Sequence, residues 1–363
     1  MTAHATTGGE ESGEPGEPVP GASDASSGPV GSGAADRMMS MITGYWRTQI
    51  VRTVAELSIP DHLADGPLTA LALAERIDAD PDGVARLLRA CASLGLVEVD
   101  ADRRFHRTPL LDTLRTGSPH SLRTIALVHG SPGHWLPWGH FPQAVRSGTP
   151  QTSAALGRDI WAHFLAHPRE GERFASSMTE LTAHLAEEVA ALLDTTGARV
   201  AVDVGGANGA LVHALLRADT RLRGIVVDLP AVAATALATA QQAGLSDRVT
   251  VLGGSFFDPL PPGDLFLLKA VLHNWDDDAC VAVLRNCRTA LNPGGRVVVV
   301  EMPLGPPGEP GFAPLLDLDM LAVLPGRERE LTHYDTLFEA AGLRRTRVTP
   351  TRSPQSIIEA VAG

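Results

Sequence analysis

The second half of the chain alternates short apolar runs with amphipathic stretches, and that rhythm admits few folds. After Gly197, the runs Val200–Val204, Gly224–Val227, Val249–Leu252, Leu265–Leu268 and Arg296–Val300 read as strands. Leu211–Leu216, Ala231–Gln242, Asp277–Leu291 and Tyr334–Ala341 read as helices, and Arg344–Thr349 with Ile357–Val361 close the sheet. Short strands separated by helices of roughly ten residues predict a parallel, doubly wound α/β sheet.

The first half has a different character. Residues 1–36 hold six acids (Glu10, Glu11, Glu14, Glu17, Asp24, Asp36), no Lys or Arg and hardly a large apolar side chain. Such a segment buries too little surface to offset its ordering entropy, so a disordered tail is expected. It carries half of the net charge of −12, leaving −6 for the rest. An acidic chain lacks the basic footprint that phosphate backbones need, which disfavours a nucleic-acid partner. No apolar run approaches the roughly 18 residues of a membrane span, and no membrane partner is expected. The N-terminus lacks the basic and apolar segments of a secretory signal. Cys91, Cys280 and Cys287 are too few and scattered for a disulfide framework or a zinc site. They read as small buried apolar residues in a cytoplasmic protein with no metal.

Residues 37–110 form the next division. Met41, Ile42, Tyr45, Trp46, Ile50, Val51 and Val54 recur at helical spacing. They make an apolar face before any core of their own, which predicts a homodimer. Thr69 can cap a helix through Leu73, Ala74 and Ile77. After the turn Asp80–Gly83, a second helix points Val84, Leu87, Leu88 and Leu94 inward and stops at Gly95. Residues 96–99 and 104–107 read as a hairpin around 100–103. Helix–turn–helix plus hairpin is a winged-helix pattern. Its common use is DNA reading, but the second helix offers only Arg86 and Arg89 in an acidic chain. Dimerisation and covering of a substrate are favoured instead.

Residues 111–195 read as a helical linker rich in large side chains, among them Trp135, Trp138, Phe141, Trp161, Phe164, Phe174 and Met178. Singly, each reads as core. Together they suggest the wall of a cleft for an aromatic substrate.

Chemistry concentrates in residues 196–363. Val202-Asp203-Val204-Gly205-Gly206-Ala207-Asn208-Gly209 is a strand that opens through a Gly-rich turn into a helix. Its D-x-G-x-x-x-G spacing differs from the G-x-G-x-x-G of dinucleotide folds. An Asp on the strand favours a cofactor with a cationic group and no pyrophosphate, and S-adenosylmethionine fits that description. Asp228 ends the second strand, where a carboxylate can accept both ribose hydroxyls or cap the next helix. After the third strand, Phe256 and Phe257 follow Ser255 and offer rings to an adenine face. The run Lys269-Ala270-Val271-Leu272-His273-Asn274-Trp275 ends the fourth strand, where side chains meet the ligand crevice. Lys269 is the only lysine of the chain. Asp276–Asp278 read as the N-cap and acidic first turn of a helix rather than a metal site.

With these residues assembled, the chain from about Met38 to its end closely resembles the S-adenosylmethionine-dependent O-methyltransferases of small molecules. These are the caffeate and flavonoid type with its bacterial antibiotic-biosynthesis relatives. Lys269 to Trp275, Asn292-Pro293-Gly294-Gly295-Arg296 and Gly326-Arg327-Glu328-Arg329 carry the resemblance. It implies a Rossmann-like class I methyltransferase domain behind an N-terminal winged-helix domain that interlocks with a second copy. It implies that His273 is the general base, flanked by Glu301 and Glu328. It further implies cofactor contacts at Gly205, Asp228, Phe256 and Lys269, and a substrate pinned by Met178 and Met320. Asp203 and Ser255 join the cofactor set, and Trp135, Phe174 and Asn274 join the substrate set. Two positions depart from the family's pattern. Ser255 stands where an acid usually receives the adenine amino group, and Asn274 stands where Asp usually follows the His.

The expected reaction is methyl transfer to a hydroxyl of an aromatic or polyketide-like small molecule in secondary metabolism. Two alternatives stay open: a non-methylating hydroxylase, decarboxylase or pericyclase on the same scaffold, and a winged-helix regulator. Retention of His273 favours methyl transfer.

Overall fold

The computed structural model describes residues 33–118 and 121–363. The expected disordered tail therefore lies outside the described residues up to residue 32, and its last three residues, 34–36, are helical. The chain divides into two compact units, Met1–Arg47 and Thr48–Gly363. In the first, the helix Ala34–Ile42 exposes Met38, Met39, Met41 and Ile42. The residues at helical spacing from Met41 to Val54 fall on two helices, since a cap at Thr43 ends the first and Gly44–Glu56 starts anew. The Thr43 hydroxyl donates to the Met39 carbonyl at 2.8 Å, as a side chain competing with the backbone does.

In the second unit, Thr69 Oγ1 accepts from Ala72 N and caps the helix Ala70–Arg76. Asp80 Oδ1 accepts from Gly83 N at 2.8 Å. The Asp-Pro-Asp-Gly run is thus the capped first turn of the helix Pro81–Ser93 rather than a separate turn. Strands β1 (Leu68–Thr69), β2 (Val97–Val99) and β3 (Arg104–Arg107) form an antiparallel sheet in the order β1-β3-β2. Asp100 closes the hairpin by accepting from Arg104 N and pairing with His106 Nε2. Val54, Leu73, Leu88, Cys91 and Leu111 share the core beneath.

The large sheet holds β4 (Val200–Val204), β5 (Arg223–Asp228), β6 (Val249–Gly253), β7 (Gly263–Lys269), β8 (Leu291–Glu301), β9 (Leu343–Pro350) and β10 (Ser356–Ala362). Its order is β6-β5-β4-β7-β8-β10-β9. The first five strands are parallel, as expected. The sheet is nevertheless mixed: β10 turns straight back from β9 with no crossover helix and inserts antiparallel beside β8. A hairpin connection permits only that direction. Alternate residues serve two cores. Ala201, Leu265, Leu267, Val298 and Val300 pack with Leu185, Val189 and Leu215 on one face. Val202, Phe266, Leu268, Val297 and Val299 pack with Val283, Leu284 and Phe338 on the other. Burial on both faces explains why these strands read as near-continuous apolar runs.

Strand order reverses between β4 and β7, and all five parallel strands end on one edge. Ligand crevices of open α/β sheets lie at such a reversal. Gly205, Asp228, Lys269 and Glu301 stand at the ends of β4, β5, β7 and β8, and Ser255 follows β6 by two residues.

Candidate active site

The Gly-rich turn is shaped by its backbone. Gly205 has φ +67° and Gly209 φ +81°, and Ala207 between them takes φ +49°. Only glycine enters this region without steric cost. A Cβ on Gly205 would lie 3.1 Å from Val271 Cγ2 and 3.5 Å from Phe256 Cε1. The turn therefore closes against the ends of two other strands. Asp228 ties it down: Oδ2 accepts from Ala207 N at 2.8 Å and Oδ1 from Leu229 N at 2.7 Å. Burial pushes the Asp228 carboxyl above the ordinary range. A carboxylate has about four acceptor positions, so both oxygens retain capacity for further donors.

Asp203 is placed differently from the expected open cation contact. It is buried beneath the turn and accepts from Val212 N at 3.3 Å. Burial pushes its carboxyl up to about 7. A Cβ on Gly206 would come within 2.5 Å of Asp203 Cγ, so this glycine makes room for it. Ser255 accepts from Phe257 N at 3.2 Å. Phe256 meets Phe257 at 5.0 Å and Trp275 edge-on at 6.0 Å between ring centres. Lys269 has no hydrogen-bond or ion-pair partner among the described residues, and burial lowers its ammonium's pKa. An unpaired ammonium that is largely buried marks a place where a polar group fits.

His273 stands on a short turn, Leu272–Asn274, with its side chain 14% exposed. Its Nδ1 lies 2.7 Å from Glu328 Oε1 and 3.7 Å from Glu301 Oε2. Glu301 Oε1 accepts from Val271 N at 3.0 Å, from Leu272 N at 2.9 Å and from His273 N at 3.4 Å. Burial alone would lower the imidazole's pKa. The charge of Glu301 and the hydrogen bond and charge of Glu328 outweigh it, and the ring is held above its ordinary value. With Nδ1 engaged by Glu328, Nε2 is the nitrogen left to exchange a proton. Asn274 donates Nδ2 to the Ala270 carbonyl at 3.0 Å, and Ala270 has φ +52°.

Arg329 has a role that its place in the sequence does not announce. It is fully buried and donates Nη1 to the Leu272 carbonyl at 3.0 Å and Nη2 to the Trp275 carbonyl at 2.8 Å. Both Nε and Nη2 reach Asp277 Oδ1. Asp276, as expected, caps the following helix by accepting from Ala279 N. Gly326 packs so closely that a Cβ would overlap the His273 carbonyl oxygen. Asp317 Oδ1 accepts from Glu328 N at 2.9 Å and fixes the acid from the helix Ala313–Val323. The density of charged residues in Gly326–Arg329 was the available signal for this clamp.

Of the expected substrate residues, Phe174 and Met320 share an apolar cluster with Ile160 and Phe164. Met178 is half-buried one turn beyond Phe174 on the helix Pro168–Leu192, and Trp135 is half-buried on the helix Pro132–Trp138.

The chain is similar to known proteins along most of its length. The O-methyltransferase domain family matches residues 138–344, and the O-methyltransferase dimerisation domain matches residues 39–117. The chain is 36% identical over 324 residues to the phenazine O-methyltransferase of Lysobacter antibioticus, covering 89% of this chain and 95% of that protein. It is 34% identical over 330 residues to a mitomycin biosynthesis 6-O-methyltransferase of Streptomyces lavendulae, covering 90% and 94%. The solved structure of human N-acetylserotonin methyltransferase with S-adenosylmethionine superposes with TM-score 0.84 at 29% identity, covering 92% of this chain and 99% of that one. This chain, with a dimerisation domain ahead of a Rossmann-like catalytic domain, belongs to the small-molecule O-methyltransferase family.

Proposed function

We propose that the protein methylates a hydroxyl of an aromatic or polyketide-like small molecule in secondary metabolism, with His273 as general base. The observation that carries this reading is the 2.7 Å pair of His273 Nδ1 and Glu328 Oε1 at the C-terminal edge of the sheet. Bound S-adenosylmethionine would supply a methyl group on a sulfonium, already activated for attack. The crevice suits that cofactor: a side-chain-free turn at Gly205, a pinned carboxylate at Asp228, the Phe256 ring and the unpartnered Lys269. Asp203 supports the turn from below, and Ser255 offers an uncharged acceptor on the far wall.

The acceptor is the weak partner. A phenol near pKa 10 and a free imidazole near 6.5 differ by roughly 3.5 units, or about 5 kcal/mol against proton transfer. Glu328 and Glu301 raise the basicity of His273 and narrow that gap. His273 Nε2 takes the hydroxyl proton while Glu328 stabilises the resulting imidazolium. Trp135, Phe174, Met178, Asn274 and Met320 hold the acceptor ring, and alignment contributes the remainder.

In this reading residues 37–110 are a winged-helix dimerisation domain, 111–195 a substrate-pocket region and 196–363 the catalytic domain. The exposed Met38, Met39, Met41, Ile42, Tyr45 and Trp46 favour a homodimer. The three cysteines are buried and unpaired, in keeping with a cytoplasmic setting. Among the described residues, no helix is long and apolar enough to cross a membrane.

Incubation with methyl-labelled S-adenosylmethionine and a panel of hydroxylated aromatics tests the proposal. Label on the acceptor with release of S-adenosylhomocysteine supports it. Conversion of an acceptor without S-adenosylhomocysteine would favour a non-methylating enzyme on this scaffold.

A further inference from the structure

Among the polar rings against the cluster that contains Phe174 and Met320, one is stacked on both Phe164 and Phe174. His134, on the helix Pro132–Trp138, lies at 28° to Phe164 and to Phe174, with ring centres 6.3 Å and 5.9 Å away. It is 7% exposed, and its Nδ1 is buried with no hydrogen-bond partner. Nearby histidines differ: His163 Nε2 pairs with Glu170 Oε2 at 3.0 Å, and His167 Nδ1 meets the His163 carbonyl at 3.0 Å.

The ring is also held in place. Glu170 Oε1 accepts from Ser131 Oγ at 2.6 Å and from Gly133 N at 2.7 Å. The two residues that flank the helix start are thereby anchored to the long helix that carries Phe174 and Met178. On the other side, Trp138 Nε1 donates to Asp319 Oδ1 at 2.8 Å, one residue before Met320. A buried, rigid and unsatisfied nitrogen is costly unless a ligand completes it.

We infer that His134 selects the acceptor by hydrogen-bonding a second polar substituent on its ring, a hydroxyl or an amino group, distinct from the hydroxyl that is methylated. This rests on the reading that the Phe174–Met320 cluster receives the acceptor. Burial lowers His134 to about 4 against the opposing charge of Asp319, so the ring is neutral and offers one donor and one acceptor. A neutral imidazole carries no charge to offset a carboxylate, which disfavours a carboxylate as the recognised group. The acceptor class is therefore a dihydroxylated or amino-hydroxylated aromatic.

Naphthol, dihydroxynaphthalene and aminonaphthol, with saturating S-adenosylmethionine, separate the outcomes. The parent enzyme prefers the two disubstituted compounds in kcat/KM by roughly three- to tenfold, the worth of one neutral hydrogen bond. His134→Phe abolishes that preference through KM while turnover of naphthol persists, and His134→Gln retains part of it. An unchanged preference in His134→Phe, or an equal loss on all three acceptors, overturns the proposal. If the parent releases no S-adenosylhomocysteine with any of them, methyl transfer to these three acceptors fails. Equilibrium binding of the same three compounds to parent and His134→Phe, followed by tryptophan fluorescence, then decides the role of His134 by the same criterion.

Discussion

Glu328 Oε1 meets His273 Nδ1 at 2.7 Å, whereas Glu301 holds its nearer oxygen 1 Å farther off, at 3.7 Å, and gives the other to backbone amides. Two acids that look equivalent in sequence thus divide their work: Glu328 bonds the ring, and Glu301 holds the loop beneath it while its charge also bears on the ring.

His273→Ala should lower the methyl-transfer rate by roughly 10²–10⁴, the usual worth of a positioned base. The dissociation constant of S-adenosylmethionine should stay nearly unchanged. Single-turnover methylation across the neutral to alkaline range is the measurement. Part of the rate should return at high pH, where a phenolic acceptor ionises unaided.

Glu328→Gln and Glu301→Gln should each cost less rate than His273→Ala. The raised value of His273 places the acidic limb of the rate profile above the ordinary histidine value, since the ring must lose its proton to act as base. Glu328→Gln removes the paired charge and should move that limb to lower pH. The stability from the charged pair has the opposite sense. It is complete below the unfolded histidine pKa and lost as pH rises through the folded one. Melting curves of parent and Glu328→Gln should therefore converge as pH rises.

Glu301→Ala should act mainly on stability. It strips the acceptor from two buried amides, those of Val271 and Leu272, at about 1–3 kcal/mol each. Thermal denaturation should show a larger loss for Glu301→Ala than for Glu328→Gln; equal losses would place both acids in the same role.

Asp228→Ala should weaken S-adenosylmethionine binding more than Ser255→Ala. It removes a charged acceptor and also releases the Ala207 amide of the turn, and charge-assisted bonds are worth roughly twice neutral ones. Gly205→Ala should weaken binding too, because its φ of +67° costs a side chain about 1–2 kcal/mol. Calorimetry on the folded variants checks the order.

Trp46→Glu with Met41→Glu should yield a monomer in sedimentation, since these side chains are 56% and 74% exposed on the chain alone. Deleting residues 1–32 should leave both association and activity unchanged.

The catalytic-domain fold was legible because its strands are short apolar runs bounded by turn residues and most stretches between them run to helical length. Gly205, Asp228 and Lys269 were legible because each ends a recognisable strand or follows one directly, and His273 because it lies four residues beyond Lys269. Antiparallel β10 was not: an apolar run carries no mark of its direction. The grip of Glu301 on three amides and of Arg329 on two carbonyls joins residues about 30 and more than 50 positions apart. Spacing along a chain says nothing about such pairs. Nothing in the sequence singles out His134, because only the surroundings reveal that its nitrogen lacks a partner.

Arg329 also sets an order of events during synthesis. The carbonyls of Leu272 and Trp275 wait for a guanidinium that leaves the ribosome more than fifty residues later. Until then the loop bearing His273 has neither its carbonyl anchor nor the acid that bonds its ring. A nascent chain can complete the Gly-rich turn and its carboxylate well before it has a working base. A chain truncated ahead of residue 326 would lack that guanidinium and that acid, and with them the strands β9 and β10 that complete the sheet beside β8.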